Sequence, residues 1–131
     1  MMSPAINMYM LGGHLSVYAG FWSKKESRFK DGIFIFDTGA SVTTISEDAL
    51  VDLDGKLHMI TTASGIEYVK EVTVDKIRIG SHVFENVMLY AHTFPEELLT
   101  TGVIGLNVLS QFDIKLLFSK QLIELTKIED I

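Results

Sequence analysis

Four consecutive large apolar residues, Ile33-Phe34-Ile35-Phe36, end abruptly at an aspartate, Asp37. Such a run of β-prone residues predicts a strand buried on both faces, since a half-exposed strand would alternate with polar residues. A carboxylate directly after this strand is held rigidly beside a low-dielectric interior. Thr38 adds a hydroxyl able to fix the turn, and Gly39 allows backbone N–H groups to approach the carboxylate. The stretch is therefore a candidate site, although an isolated Asp-x-Gly tripeptide is usually only a turn.

Most of the remaining chain consists of short runs of β-prone residues separated by turns. We predict about nine strands by this pattern, together with short helices near residues 46–53 and 106–112. The Asp31-Gly32 pair predicts a turn in a solvated hairpin connection over residues 23–32. Residues 57–62 and 66–74 read as two strands around a hairpin tip at Ala63-Ser64-Gly65. The pattern favours a mostly β fold, as a closed or sandwich-like barrel.

The length and composition limit the class of protein. A chain of 131 residues, against a prior of roughly 150 residues per domain, predicts one domain at residues 14–131 behind an N-terminal arm at residues 1–13. Hydrophobic residues make up 47% and charged residues 21%, which is typical of globular chains and excludes disorder. The net charge of −6 and the pI near 5.1 give no basic surface for nucleic acid or an anionic membrane.

Targeting and metal-binding patterns are also missing from the sequence. There is no cysteine, and His14, His58, His82 and His92 lack the paired spacing of a metal site, so we predict no metal. No basic region precedes the mildly apolar first residues. No stretch approaches the roughly 18 apolar residues that span a bilayer. These observations lead us to expect a cytoplasmic protein.

The candidate site resembles the active-site loop of the retropepsin-like aspartic peptidases. The resemblance begins with residues 36–41, Phe-Asp-Thr-Gly-Ala-Ser, and continues through residues 42–45. Residues 102–109, Gly-Val-Ile-Gly-Leu-Asn-Val-Leu, are similar to the element that supports this loop in the family. Residues 61–66 fall where the family has its flap hairpin, and residues 112–125 are typical of its closing strands. The resemblance spans about residues 14–126 and contains three elements in the right order.

This resemblance implies a closed β-barrel of the retropepsin-like acid protease type, with one or two short helices, that acts as a homodimer. The chain has one Asp-Thr-Gly motif, whereas pepsin-like enzymes carry two in one long chain. The resemblance therefore implies an aspartic endopeptidase in which a water is activated between two Asp37 carboxylates, one from each subunit. The implied partners are a second copy of the chain and a peptide or protein substrate, with no cofactor.

The resemblance also assigns roles to individual residues. Asp37 is the implied catalytic residue, and Thr38 and Gly39 support its loop. Gly105 and Asn107 belong to the second, loop-supporting motif. The implied substrate-binding residues lie in the loop, the flap and the strand before the second motif: Ala40, Ser41, Ala63, Ser64, Gly65, Ile66, Val103 and Ile104. For Val103 and Ile104, simple core packing is the alternative interpretation.

Two departures from the retroviral pattern leave other functions open. Ser41 stands where retroviral enzymes commonly carry an acidic residue, and Leu106 stands where they commonly carry a basic one. The ion pair that supports the retroviral dimer is therefore absent. A non-catalytic retropepsin-fold module for dimerisation or peptide binding is one alternative. A barrel that binds small apolar ligands is another, and it would give Asp37 no role.

Overall fold

The computed structural model describes residues 5–52, 55–62 and 65–129, with the backbone alone over residues 50–52, 55–62 and 66–69. Strands dominate this part of the chain. They are β1 Ala5–Asn7, β2 Tyr9–Leu11, β3 His14–Ser23, β4 Arg28–Phe36, β5 Thr44–Ser46, β6 Gly55–Thr62, β7 Gly65–Ile79, β8 His82–His92, β9 Gly102–Ile104, β10 Phe112–Leu117 and β11 Leu122–Lys127. One α-helical turn, α1, spans Leu106–Leu109, and short 3-10 turns lie at Glu47–Asp52, Glu96–Leu98 and Phe118–Lys120.

A closed barrel forms the centre of the fold. The larger sheet has the strand order β2-β3-β4-β9-β5-β8-β7-β6, and an additional pairing joins β3 to β7. This pairing, with Gly20 opposite Arg78 and Phe21 opposite Ile77, closes a ring of six strands: β3, β4, β9, β5, β8 and β7. Closure removes the exposed edges that an open sheet would present. The prediction of a mostly β, closed barrel with few helices is confirmed.

The core fills this barrel with side chains from alternate positions of its strands. Phe34 and Phe36 are only 3% and 7% exposed, and β4 lies between β3 and β9, as predicted for a central strand. Ile33 and Ile35 are only half-buried, so the prediction that this strand is buried on both faces is wrong for the outer face of β4, which is incompletely covered. Residues with no exposed surface include Val17, Ile45, Val72, Val74, Ile104, Val108, Ile123 and Leu125.

The prediction of a turn at Asp31-Gly32 is wrong. Both residues lie inside β4, opposite Gly20 and Ala19 of β3. The connection between these strands lies four residues earlier, where Ser27 takes a φ of 53° and its N–H donates to the Ser23 carbonyl at 2.8 Å. Gly32 serves close packing instead, because a side chain there would collide with Thr101.

A smaller sheet ties the two ends of the described chain together, in the order β1-β11-β10. The predicted closing hairpin is present as β10 and β11, with Phe112 opposite Lys127 and Leu117 opposite Leu122. Residues 5–11, placed in the N-terminal arm by the sequence, form β1 against β11 and β2 against β3. The strand predicted at residues 66–74 is part of one longer strand, β7, which continues to Ile79.

The cost of shortening a core side chain tests this packing. Ile104 is 0% exposed, and we expect Ile104→Val to lower the free energy of unfolding by about 0.5–1.5 kcal/mol. The same substitution at Ile128, which is 48% exposed, should change it by less than about 0.5 kcal/mol. Urea unfolding of both variants at one protein concentration measures the difference. Equal losses would contradict the placement of Ile104 in the core.

Candidate active site

The Asp37 loop begins where β4 leaves its pairing with β9. The last ladder contact sets Phe36 opposite Ile104, and the Asp37 N–H then donates to the Ile104 carbonyl at 3.1 Å. The Ala40 N–H donates to the Asp37 carbonyl at 3.3 Å, which closes a turn. The Asp37 side chain is exposed at this turn. The strand therefore delivers a carboxylate to the surface from a fixed backbone.

Gly39 holds one oxygen of this carboxylate. Its N–H donates to Asp37 Oδ1 at 2.8 Å. A Cβ at Gly39 would lie 3.1 Å from the same oxygen, so a side chain there would press on the carboxylate. Within the described part of the chain, Asp37 Oδ2 accepts no hydrogen bond and the exposed Thr38 hydroxyl makes none. The expected hydrogen bond from the Thr38 hydroxyl that fixes the turn is therefore not present among the described residues.

The segment around Gly105 packs directly behind the loop. The Leu106 N–H donates to the Ala40 carbonyl at 2.7 Å, and the Asn107 N–H donates to the Ser41 carbonyl at 3.2 Å. A Cβ at Gly105 would lie 2.7 Å from the Val42 carbonyl oxygen. Backbone cannot give way as a flexible side chain can, so only glycine fits this close approach. The two motifs, distant in sequence, form one unit.

Asn107 joins this unit through its side chain. Its Oδ1 accepts hydrogen bonds from the Thr43 N–H and the Thr43 hydroxyl, both at 2.8 Å. Its Nδ2 donates to the Met88 carbonyl on β8 at 2.9 Å. The Thr43 hydroxyl in turn accepts from the Gly105 N–H at 3.0 Å. A single amide thus connects the Asp37 loop, the second motif and a barrel strand.

The sequence analysis did not identify Thr43 as part of the site. In the structure, Thr43 is completely buried. The sequence feature that could have indicated Thr43 is a hydroxyl-bearing residue between the apolar residues Val42 and Ile45. A buried hydroxyl needs hydrogen-bond partners, and Thr43 finds them in Asn107 and Gly105. Met88 contributes only its carbonyl, for which no side-chain pattern exists.

The predicted substrate-binding residues fall into different environments. Ala40 is half-buried and Ser41 is exposed beside Asp37, while Val103 is half-buried on β9. Ile104 has no exposed surface, so the core interpretation applies to it and its side chain is unavailable to a substrate. The Ile104 contribution to the site is its carbonyl, which accepts from Asp37.

The predicted flap corresponds to the β6–β7 hairpin, where Thr62 lies opposite Gly65 and Gly55 opposite Val72. Gly65 has a φ of +129°, a backbone angle that favours glycine. Ala63, Ser64 and the side chain of Ile66 lie outside the described residues. β6 pairs only with β7 in the described sheet and lies outside the closed ring of the barrel.

Three of the cavities between the described residues have linings that do not include Asp37. Over residues 5–52, 55–62 and 65–129, no group of three or more histidine, aspartate or glutamate side chains is placed to hold a metal ion. In the same part of the chain, no helix is both long and apolar enough to cross a bilayer.

Residues 30–111 match the family described as gag-polyprotein putative aspartyl protease. This segment covers well over half of the chain and contains the Asp37 loop, the β6–β7 hairpin and the Gly105 motif. The chain belongs to this family. A crystal structure of a retropepsin-like aspartic protease from Rickettsia conorii is similar, with a TM-score of 0.60 and 22% sequence identity over 92% of this chain and 87% of that one. That likeness extends the retropepsin-like fold to nearly the whole chain. No curated protein sequence matches the chain described in this structure.

As a member of this family, the chain keeps the loop but not the charges that retroviral enzymes commonly carry around it. Ser41 is exposed, and Leu106 is an exposed leucine with 39% of its surface accessible. The positions of the retroviral ion pair are thus a hydroxyl and an apolar side chain at the surface beside Asp37. Both side chains are accessible to another molecule, and neither carries a charge that such a contact would have to neutralise.

Proposed function

We propose that the protein is a homodimeric aspartic endopeptidase in which each subunit contributes one Asp37. The observation that carries the proposal is an exposed carboxylate on a loop that is fixed from behind by part-buried hydrogen bonds between Thr43 and Asn107. The sequence contains one Asp-Thr-Gly motif, and two carboxylates are needed for this chemistry. A second copy, related by a two-fold axis, brings the other.

The reaction follows from the chemistry of two adjacent carboxyl groups. Two carboxylates about 3 Å apart cannot both ionise, so the pair shares one proton. The ionised Asp37 removes a proton from a bound water as the water oxygen attacks the peptide carbonyl carbon. The protonated Asp37 gives its proton to the carbonyl oxygen, which forms a gem-diol. Proton transfer to the amide nitrogen then breaks the C–N bond, releases a carboxylic acid and an amine, and returns the shared proton.

The substrate is proposed to bind as an extended strand between the Asp37 loop and the β6–β7 hairpin. Backbone hydrogen bonds would hold its main chain, as in other complexes in which a peptide adds a strand. The residues offered to its side chains are small or apolar, namely Ala40 and Val103, with Ala63, Ser64, Gly65 and Ile66 proposed for the hairpin side. This favours substrates with apolar side chains on both sides of the cleaved bond. The mechanism requires no metal or organic cofactor.

A non-catalytic dimerisation or peptide-binding module is the second candidate. The exposed Leu106 and the uncharged Ser41 favour it, because the ion pair that strengthens a retroviral dimer is missing. Such a module would bind peptides without cleaving them. Profiling a peptide library for cleavage, with and without a pepstatin-type transition-state mimic, separates the two candidates.

The dependence of rate on concentration tests the shared site. If each active site needs two chains, the rate per milligram of protein should rise with protein concentration until the dimer is saturated. Initial rates measured across a dilution series, with sedimentation at the same concentrations, provide the comparison. A rate strictly proportional to concentration, where sedimentation shows only monomer, would exclude a site shared between subunits. Because Leu106 and Ser41 carry no charge, moderate salt should leave the dimer largely intact.

A further inference from the structure

A cavity of about 420 Å³ lies on the outer face of the barrel, away from Asp37. Its walls come from β1 and β2 on one side and from β3, β4 and β7 on the other. The volume falls in the range of roughly 300–1,000 Å³ typical of small-molecule sites. The feature is independent of the proposed peptidase chemistry, because no residue of the Asp37 loop lines it.

An ion pair across three strands forms one end of this cavity. Gly20 lies opposite both Asp31 and Arg78 in the sheet. Because Gly20 has no side chain, Arg78 Nη2 reaches over it to Asp31 Oδ1 at 3.2 Å. A Cβ at Gly20 would lie 2.8 Å from that oxygen. The glycine therefore creates both the ion pair and the space beside it.

Arg78 keeps most of its hydrogen-bonding capacity. Its guanidinium also lies over the Phe29 ring, with Cζ 4.4 Å from the ring centroid. Of five N–H donors, one points to Asp31, and the side chains of Arg78 and Asp31 remain 40% and 62% exposed. An exposed ion pair of this kind contributes little to the stability of the fold, so a ligand that interacts with either group disturbs the fold little.

An aromatic pair forms the apolar side of the cavity. Tyr9 and Tyr18 meet edge to face, with ring centroids 5.2 Å apart and planes at 85°. Ile6 covers the turn at Gly80, where a Cβ would lie 2.7 Å from Ile6 Cγ2. The cavity thus has an aromatic side next to one positive and one negative group.

We propose that this cavity binds a free α-amino acid with an aromatic or large apolar side chain. The carboxylate of the ligand would take the free N–H donors of Arg78, and its ammonium would approach Asp31. A simple anion would meet the Asp31 carboxylate and a simple cation would meet Arg78, so a ligand with both charges on one carbon fits best. Its side chain would lie against Tyr9 and Tyr18. Peptide cleavage releases chain ends, but the site does not depend on that activity.

L-Phenylalanine is the probe, added to the full chain labelled with ¹⁵N. We expect saturable shifts of the Gly20 and Gly80 amide signals. The analogues 3-phenylpropanoate and 2-phenylethylamine each lack one charge and should bind about tenfold more weakly or worse. No saturable shift up to the solubility limit would overturn the proposal. Equal binding of either analogue would overturn it as well, because the ligand would then not be recognised as a zwitterion.

Matched variants locate the site. Arg78→Met and Asp31→Asn should each weaken binding of the probe about tenfold. Two variants are used so that the test still holds if one of them fails to fold. Lys76→Met is the control, since Lys76 also lies over an aromatic ring, 5.4 Å from the centroid of Trp22, but does not line the cavity. Equal weakening by Lys76→Met would overturn the proposal. Asp37→Asn should bind the probe unchanged, which keeps this result separate from the proposed peptidase function.

Discussion

Asp37→Asn is expected to lower the rate of peptide cleavage by about 10²- to 10⁴-fold, the usual contribution of a general acid or base. Asparagine keeps the shape of aspartate, and its amide oxygen is still able to accept the Gly39 N–H, which now bonds Asp37 Oδ1 at 2.8 Å. The fold should therefore remain. What is lost is the carboxylate that takes a proton from water. Initial rates on a cleaved library peptide, together with urea unfolding, measure both effects.

Two controls make this result specific. Asp113→Asn removes another exposed carboxylate, at the start of β10, and should leave the rate unchanged. Adding excess Asp37→Asn protein to the unsubstituted protein should lower the cleavage rate below that of the unsubstituted protein alone. The reason is that each mixed dimer contains only one Asp37 carboxylate. A rate that is unaffected by such mixing would contradict a shared site. Full activity of Asp37→Asn would end the peptidase proposal itself.

Asn107→Leu is expected to lower the free energy of unfolding by about 2–4 kcal/mol, because it leaves buried polar groups without partners. Leucine has the same number of side-chain heavy atoms and the same branching at Cγ, but it offers no acceptor to the Thr43 N–H and hydroxyl and no donor to the Met88 carbonyl. Thr43 is fully buried, so water cannot easily replace these contacts. Urea unfolding at one protein concentration gives the loss.

A neighbouring amide provides the matched control. Gln111 is half-buried and its side chain donates to the Asn107 carbonyl at 3.1 Å. Gln111→Leu removes this one hydrogen bond and should cost about 0.5–1.5 kcal/mol. If Asn107→Leu costs no more than Gln111→Leu, the Asn107 side chain does not hold the loop. Any peptidase activity should fall more in Asn107→Leu, because the loop that carries Asp37 loses its anchor.

The secondary structure shows where a local pattern was sufficient and where it was not. The apolar run at residues 33–36 correctly indicated a central strand, because four large apolar residues in succession are stable only when some of them are buried. The Asp31-Gly32 pair led to a wrong prediction of a turn, because this pair is favourable in a turn but is also acceptable in a strand. Thr101, 69 positions beyond Gly32 in the chain, makes the strand placement necessary. Nothing near Gly32 in the sequence carries that information.

The two substrate-pocket candidates on β9 show the same limit. Val103 and Ile104 are adjacent, equally apolar and equally β-prone, so composition cannot tell them apart. In a strand they point to opposite sides, and the closure of the barrel decides which side is the core. Ile104 points inward and Val103 is half-buried. A shift of one residue in the pairing would have exchanged their roles.

The sequence by itself determined the family, the mostly β class and the position of the candidate carboxylate, because each rests on patterns that are complete within short segments of the chain. Only the tertiary structure decided how the loop is held. Thr43 and Asn107 are 64 residues apart, and Met88 takes part through its backbone alone. The cavity at Gly20 likewise depends on a barrel closure that places Asp31 and Arg78 on either side of it. Contacts between distant residues leave no periodic pattern in a sequence, because they exist only when the strands are paired in one register.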